Sequence, residues 1–356
     1  MAAAGQATAR RPHSRQSLRS LNTSTNNRAA DPALSRAALA CRICSAPAPA
    51  KLYRVREMLH GTRESFEYFE CAACGCVQIT TIPEDLSRFY PHDYFSFRDL
   101  RGLARHPVRR WIDPKRAGRA FGRPSLIGAV ADAVSRPLDY LGWIREAGLG
   151  WDARVLDVGC GAGKTLIVMA LGGFRSPVGV DAFVQAPLSY EIGVTVHKAS
   201  LEAFAASKAG PFDLIMFHHA LEHLPDPAGA LAAARSLLSD RGRILVVIPV
   251  AGSYAWEHYR EYWCNLDPPR HLHLLTPTAM ANLSGSAALQ VDSSRCVGTL
   301  SQFVGSERYL RDIPASDRRK DRRLFSRRQL ARWRARTAAL NAEGRGDQMM
   351  FFLRAA

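Results

Sequence analysis

The 356-residue sequence lacks any run of 18 or more apolar residues free of charge, which excludes a membrane-spanning helix. It also lacks the cysteine pattern of a disulfide framework, because five of its eight cysteines crowd into residues 41–76 and three are scattered. Clustered cysteines favour a metal site in a reducing compartment, so we expect a cytoplasmic protein. Apolar residues (47%) and charged residues (22%) are near globular averages, which excludes disorder throughout.

Acidic residues are too few to balance the basic ones, and the net charge of +16 is concentrated in two segments. Residues 1–36 carry six arginines against one acid (+5), and residues 305–345 carry thirteen basic against five acidic residues (+8). A basic patch can bind RNA, anionic lipid or an acidic substrate. Because charge runs are more often solvated surface, the sequence favours that reading and leaves nucleic acid as the alternative partner.

Composition divides the chain into four parts. The first is rich in Arg, Ser and Ala without a sustained amphipathic period, so we predict disorder, with a mitochondrial transit peptide as the alternative. We expect the apolar positions of the third part, Ile127, Val130, Val134, Leu138 and Leu141, which are spaced three and four apart, to pack against the fourth. The parts are a disordered basic leader (1–40), a β-rich zinc ribbon with an aromatic end (41–100), a helical connector (101–150) and an α/β domain (151–356) with a basic helical insertion (303–340).

Short apolar runs alternate with helical segments after Gly150, at gaps that suit crossover connections. Five such runs, followed by two that could pair antiparallel at one edge, predict a mostly parallel seven-stranded sheet covered by helices on both faces. The runs are Arg154–Val158, Ser176–Val180, Thr195–His197, Phe212–Phe217, Arg243–Ile248, Gln290–Val297 and Met349–Leu353.

Two Cys-x-x-Cys pairs, Cys41/Cys44 and Cys71/Cys74, stand 26 residues apart. Each pair on a tight turn places two thiolates about one tetrahedron edge apart, and two such turns close an all-thiolate site with no open coordination position. A closed site is structural, because the metal makes foldable a unit too small to bury enough core. We predict Zn²⁺ on these four cysteines; exchange of Cys74 for Cys76 and two disulfides are the alternatives.

Residues 155–163 read Val-Leu-Asp-Val-Gly-Cys-Gly-Ala-Gly and turn a buried strand into a helix. Glycine is needed where the backbone turns tightly and a ligand approaches it. A Walker loop would need glycine where Val158 stands, and a dinucleotide fingerprint would need one where Lys164 stands. The remaining pattern, an acid followed by three alternating glycines, resembles motif I of class I S-adenosylmethionine (SAM)-dependent methyltransferases.

This resemblance implies a Rossmann-like fold and a SAM cofactor whose methionine ammonium and carboxylate lie over the glycines. Asp157 would shape the ammonium side of the pocket, and Gly159, Gly161 and Gly163 would give backbone access. Asp181 ends the next strand, twenty residues beyond Gly161, and would accept hydrogen bonds from both ribose hydroxyls. A helix cap or turn role is the alternative for such an aspartate.

Two further segments resemble the same family. Ser200 would lie near the adenine, with a helix cap as its alternative. The run His-His-Ala-Leu-Glu-His-Leu-Pro-Asp-Pro at 218–227 resembles the segment after strand four in a group that includes quinone O-methyltransferases and enzymes of surface-polysaccharide pathways. His218 and His219 would line the methionine end of the cofactor, and Glu222 and His223 would begin a helix that stabilises the loop.

The loop after the fifth predicted strand is rich in aromatic residues and histidines and favours a substrate lid, because ligands lie beyond the carboxyl ends of parallel strands. Ordinary core packing is the alternative. Its Pro-Arg-His motif at 269–271 is typical of the same group. Methyl transfer is an in-line displacement that often needs a base. We predict His271 as that base, with His258 and Tyr259 as alternatives.

A zinc ribbon ahead of such a core, followed by aromatic residues at 90–95, resembles the nucleotide-sugar C-methyltransferases. The sequence thus predicts a methyltransferase acting on a small molecule, a sugar or hydroxylated intermediate of cell-envelope polysaccharide biosynthesis. The alternative is an RNA-binding or RNA-modifying methyltransferase that uses the ribbon and the basic segments. No Asn/Asp-Pro-Pro-Tyr segment follows the fourth strand, as adenine-directed N-methyltransferases would show.

Overall fold

The computed structural model describes residues 39–47, 49–91, 94–135, 138–317 and 324–356, so all but the last two residues of the predicted leader lie outside it. Its strands are β1 (Pro49–Arg56), β2 (Ser65–Cys71), β3 (Val77–Ile79), β4 (Val155–Val158), β5 (Val178–Val180), β6 (Leu188–Tyr190), β7 (Val194–His197), β8 (Phe212–His218), β9 (Leu238–Pro249), β10 (His273–Leu274), β11 (Leu289–Cys296) and β12 (Gln348–Ala355). Its helices are α1 (Arg101–Ala104), α2 (Pro107–Ala120), α3 (Leu126–Val134), α4 (Asp139–Glu146), α5 (Lys164–Leu171), α6 (Leu201–Ala206), α7 (Pro227–Ser236), α8 (Tyr254–Tyr259), α9 (Pro277–Ser286), α10 (Ser301–Leu310) and α11 (Arg327–Ala342).

The larger sheet has the order β11-β12-β9-β8-β4-β5-β7-β6. Its central strands β9, β8, β4, β5 and β7 are parallel, whereas β12, β11 and β6 pair antiparallel at the edges. Each of the seven predicted runs forms a strand of this sheet, which confirms the mostly parallel α/β fold. The eighth strand, β6, was not predicted, because the exposed Ser189 interrupts its three residues and no apolar run marks it in the sequence.

The order of the parallel strands reverses between β4 and β8. From β4 the chain moves outward to β5 and β7, and it then returns to the other side of β4 to form β8 and β9. In such sheets the crevice outside the carboxyl ends of the strands at the reversal point is the usual ligand site. The loops after β4, β5 and β8 border this crevice, and we call them the carboxyl edge.

The core lies on both faces of this sheet. Leu156, Ile215 and Val246 point to one face, under α6, α7 and α9, while Leu214 and Leu245 point to the other, under α2 and α4. Burial on both faces explains why these strands read as continuous apolar runs rather than alternating ones. Truncating one of these side chains to alanine would cost about 2–5 kcal/mol.

The smaller sheet is antiparallel, with the order β1-β2-β3-β10. Three strands come from the N-terminal unit, but β10 comes from the α/β part of the chain. Strand β10 pairs Leu274 with Val77 and His273 with Gln78. The sheet of the N-terminal unit is thus completed by a strand that follows His271 in sequence.

The connector packs differently from our prediction. Val130 and Val134 of α3 are 66% and 81% exposed and Ile127 is 41% exposed, so the expectation that these three pack against the α/β part is wrong. The reason is that α3 turns Gly128 toward α2, where an added Cβ would lie 2.7 Å from the carbonyl oxygen of Lys115. Helix α4, by contrast, buries its apolar face against the large sheet.

The segment between β11 and β12 is helical, as its composition predicted. It contains α10 and α11, while residues 318–323 lie outside the described part. Phe303 of α10 stacks on Trp333 of α11, with ring centroids 5.8 Å apart. Among the described residues, no helix has both the length and the apolar character needed to cross a bilayer.

Candidate active site

The glycine loop joins β4 to α5 at the carboxyl edge. Gly159, Gly161 and Gly163 have φ values of +71°, +55° and +81°, which side chains with a Cβ rarely adopt. A Cβ on Gly161 would collide with the carbonyl oxygen of Ser96, and one on Gly159 would lie 2.7 Å from the Cβ of Ala220. The loop is therefore the place where two other segments, one from the N-terminal unit and one following β8, approach the backbone.

Asp181 at the end of β5 ties this loop to its neighbour. One carboxylate oxygen accepts a hydrogen bond from the Gly161 N–H (2.9 Å), and the other accepts from the N–H groups of Phe183 (2.8 Å) and Val184 (3.2 Å). The alternative turn role thus exists in the structure. A carboxylate has about four acceptor positions, so capacity is left for a ribose hydroxyl.

Asp157 at the end of β4 is 3% exposed, and among the described residues no hydrogen bond to its carboxylate occurs. Burial, followed by the nearby charge of Asp181, raises the pKa of Asp157 to about 8. A buried acid that is costly to ionise gains its charge when a cation binds beside it. The residue therefore suits the ammonium side of the cofactor.

Two other predicted cofactor residues have plain structural contacts. Ser200 is exposed and caps α6, accepting a hydrogen bond from the Ala203 N–H (3.2 Å). His218 ends β8 with its ring 5.0 Å from that of Trp143, and burial lowers its pKa to about 4. The adenine role of Ser200 and the methionine role of His218 stay predictions.

A group of three side chains, which we call the acid–histidine cluster, lies just beyond the end of β8. Glu222 and His223 form a 3₁₀ turn with Leu221, and His271 reaches them because the Leu272 N–H donates to the Glu222 carbonyl (2.8 Å). The rings of His223 and His271 are 4.7 Å apart, and the Nε2 of His271 is 4.0 Å from a Glu222 oxygen. The sequence predicted Glu222 and His223 only as a helix start.

Both histidines of this cluster are held by backbone carbonyl groups. Nδ1 of His223 lies 2.8 Å from the Arg270 oxygen, and Nδ1 of His271 lies 2.7 Å from the Asn265 oxygen. Burial, followed by the charge of His223, lowers the pKa of His271 to about 4, so this ring is neutral at pH 7. A neutral ring whose Nδ1 donates to a carbonyl carries its lone pair on Nε2.

His219 precedes the cluster in an unusual backbone conformation, with φ +54°. Its Nδ1 lies 3.4 Å from an oxygen of Glu222. Burial acts to raise the pKa of Glu222, but the contact with His219, followed by the charge of His223, outweighs it and lowers this pKa to about 2. The carboxylate is therefore ionised while fully buried.

Arg270 anchors the loop that carries His271. It is fully buried and contacts Asp267 (2.6 Å) and Glu57 (2.7 Å), so it pairs with acids rather than facing a substrate. Glu57 also accepts from the N–H groups of three residues at 60–62. Removing one partner of such a buried pair costs about 3–5 kcal/mol, and this network fixes the loop to the N-terminal unit.

The other two predicted bases lie apart from the cluster. His258 is exposed and stacks on Tyr254, and the Tyr259 hydroxyl donates to Glu307 (3.3 Å). Trp256 and Trp263 of the same loop are each 1% exposed. The packing alternative therefore holds for these aromatic residues, because β1 and α10 cover them.

The aromatic end of the N-terminal unit covers the carboxyl edge, a role that the sequence did not reveal. Tyr90 stacks on Phe183, with ring centroids 5.2 Å apart, and its hydroxyl lies 3.1 Å from Nδ1 of His223. The Ser96 carbonyl accepts a hydrogen bond from the Ala162 N–H (2.8 Å). The only signal in the sequence was the density of aromatic residues at 89–97.

The four predicted metal-binding cysteines meet in one place, which we call the cysteine cluster. Their sulfur atoms lie within 4.8 Å of one another, with 3.7 Å between Cys41 and Cys74 and 3.6 Å between Cys44 and Cys71. A tetrahedral Zn²⁺ with bonds of about 2.3 Å needs edges of about 3.8 Å. The spare thiol, Cys76, points to the Val77 carbonyl instead, so the donor set fits zinc as predicted.

Comparison with known proteins agrees with this geometry. A family model described as a methyltransferase domain matches residues 126–294. The ubiquinone biosynthesis O-methyltransferase of Aromatoleum aromaticum is 43% identical over 112 residues, covering 29% of this chain and 47% of that protein. The protein of the same name from Burkholderia ambifaria is 31% identical over 168 residues, covering 43% of this chain and 60% of that protein.

The chain thus spans about half the length of the curated relatives it matches. A solved structure, a SAM-dependent methyltransferase from Archaeoglobus fulgidus, matches 64% of this chain and 99% of that one at 18% identity. Its TM-score of 0.38 is too low to support a conclusion. The matched family, the glycine loop and the strand order agree. Residues 126–294, which the family model matches, therefore belong to a class I, SAM-dependent methyltransferase domain.

Proposed function

We propose that this chain transfers a methyl group from SAM to a hydroxyl oxygen of a small molecule. One observation carries the proposal: the glycine loop, the acid that ends β5 and the acid–histidine cluster meet at the point where the strand order reverses. The relatives named as O-methyltransferases support oxygen as the attacked atom. The acceptor that the sequence favours is a sugar or a hydroxylated intermediate of cell-envelope polysaccharide biosynthesis. The reaction would then take place in the cytoplasm.

In this proposal each side chain at the carboxyl edge has one task. Asp157 holds the ammonium of the cofactor and Asp181 its ribose, and the segment around Tyr90 excludes water. The acceptor oxygen forms a bond to the methyl carbon while the carbon–sulfur bond breaks, and sulfur keeps the electron pair. The hydroxyl proton must leave, and the free Nε2 of His271 receives it. Zn²⁺ on the cysteine cluster is structural and takes no part in the transfer.

The described part of the basic segment at 305–345 supports a solvated surface rather than an RNA site. Of the eight basic residues at 305–345 that the structure describes, four contact acids or carbonyl groups of this chain, and these are Arg308, Arg311, Arg336 and Arg345. If these arginines instead bound RNA phosphates, the affinity for RNA would fall steeply as the salt concentration rises. Retention on heparin that is lost only at high salt would favour the RNA alternative.

The proposed activity is tested with a labelled methyl donor. The protein is incubated with SAM carrying an isotopic methyl group and with fractions of hydroxylated metabolites, and products are identified by mass spectrometry. We expect a product heavier by one methyl group whose label is lost when the acceptor hydroxyl is blocked. S-adenosylhomocysteine (SAH) should bind by calorimetry, and a protein that binds no SAH would contradict the proposal.

A further inference from the structure

The Glu222 side chain poses a problem that the methyl-transfer scheme leaves unexplained. It is fully buried, and neither carboxylate oxygen has a hydrogen-bond partner among the described residues. Its nearest cationic candidates, Nδ1 of His219 and Nε2 of His271, are 3.4 Å and 4.0 Å away. A buried carboxyl group whose oxygens make no hydrogen bond is costly, and an imidazole 3.4 Å from one oxygen leaves the other without a partner.

The two histidines of the cluster are oriented as metal ligands usually are. A metal-bound histidine commonly donates its other ring N–H to a backbone carbonyl, which fixes the tautomer. His223 and His271 each do this through Nδ1, to the carbonyl oxygens of Arg270 and Asn265. The Nε2 atoms are thus the ring nitrogens left to bind an ion, and that of His271 lies 4.0 Å from a Glu222 oxygen and 3.9 Å from an Asp267 oxygen.

The three side chains also stand at a suitable separation. One ligand atom from each of Glu222, His223 and His271 lies within 4.8 Å of the other two. We propose that these residues bind a divalent transition-metal ion, at which the hydroxyl oxygen of the acceptor is held. Two imidazoles and one carboxylate suit Mn²⁺, Fe²⁺, Co²⁺ or Zn²⁺ better than Mg²⁺, and three protein ligands leave coordination positions open for a substrate.

This inference rests on the proposed function and refines it. An ion at this place lowers the pKa of a bound hydroxyl, so the proton leaves to solvent before the oxygen attacks the methyl carbon. His271 then holds the ion instead of the proton, and no group is oxidised or reduced. The site is close to the glycine loop, over which the cofactor is proposed to lie, since a Cβ added to Gly159 would be 2.7 Å from the Cβ of Ala220, two residues before Glu222.

Ion binding is tested on the full chain with Mn²⁺. The cysteine cluster is first filled with one equivalent of Zn²⁺, which thiolates prefer to Mn²⁺. Free Mn²⁺ is then followed by electron paramagnetic resonance during a titration. We expect one Mn²⁺ per chain, and at least tenfold weaker binding in Glu222→Gln and in His223→Gln, while His197→Gln, which removes an exposed histidine of β7, binds as the unchanged protein does.

Two variants are used because either one alone could fail to fold. No Mn²⁺ binding by the unchanged protein, or binding that neither variant weakens, would overturn the inference. Methyl transfer separates this outcome from failure of the proposed function. Transfer that persists at full rate after a chelator has removed the second ion would refute the ion and keep the activity, whereas absence of transfer with and without Mn²⁺ would refute the activity itself.

Discussion

The cysteine cluster and the acid–histidine cluster both gather metal-ligating side chains within 4.8 Å, but they are built differently. The cysteine cluster takes two ligands from each of two tight turns, and the two cysteines of a turn are three residues apart in sequence. The second joins a turn after β8 to His271, which is 48 residues further on from His223. Local turns leave a spacing that a sequence displays, whereas a site assembled across the fold leaves none. The two also differ in expected failure: damage to the first should cost structure, and damage at the carboxyl edge should cost binding or turnover.

The largest effect is expected from Cys71→Ser. Loss of one thiolate should abolish Zn²⁺ binding and unfold the small sheet, because the metal supplies much of the folding energy of such a unit. Since β10 belongs to this sheet, methyl transfer should be lost as well. Zinc content and thermal unfolding measure the effect. Cys76→Ser is the matched control and should retain zinc; zinc loss in both variants would mean that the fourth ligand is assigned wrongly.

A smaller effect, confined to turnover, is expected from His271→Ala. We expect the rate of methyl transfer to fall by about 100-fold or more, the size of a lost acid–base contribution. SAH affinity by calorimetry should change less than about threefold, because the proposed function assigns this ring to the acceptor and not to the cofactor. His258→Ala, at an exposed ring stacked on Tyr254, should cost much less. An equal loss of methyl-transfer rate in the two variants would contradict the assignment of His271 as the base.

Cofactor affinity should respond most to Asp181. The change Asp181→Ala removes charge-assisted hydrogen bonds to the ribose and also the contact that holds the Gly161 N–H, so SAH affinity should fall about tenfold or more. Asp181→Asn keeps one acceptor oxygen and should lose less. Calorimetry with SAH measures both variants, and unchanged affinity in Asp181→Ala would remove the ribose assignment. Thermal stability should drop far less than in Cys71→Ser.

The smallest effect is a pH dependence from Asp157. Its pKa is raised to about 8, so the carboxyl is protonated at lower pH and the ammonium of SAM loses its partner. SAM affinity should therefore fall several-fold from pH 8 to pH 6, and Asp157→Asn should show weak, flat binding. Without cofactor, the free energy of unfolding has the opposite pH dependence. The folded state holds the Asp157 proton more tightly than the unfolded state does, so the stability that this proton contributes is lost as the pH rises toward 8.

Sequence reasoning worked where a local rule governs. Strands β4 and β8 are buried on both faces, so each appears in the sequence as an apolar run. The glycine loop was recognisable because three of its positions have a positive φ and carry glycine. Predictions from the sequence were wrong where contacts with other elements determine which side of a helix is buried. Val130 has the helical period of a core residue but is exposed, since α3 turns Gly128 rather than its apolar stripe toward α2.

The sequence alone determined the α/β class, the positions of seven of the eight strands of the large sheet and the grouping of four cysteines, because each follows from spacing or periodicity over a few residues. Only the tertiary structure decided that β10 completes the small sheet and that His271 meets Glu222. It also decided that the aromatic segment near Tyr90 covers the glycine loop. The reason is physical: such contacts join segments far apart in the chain, and their energy comes from packing and buried hydrogen bonds that no single segment makes by itself.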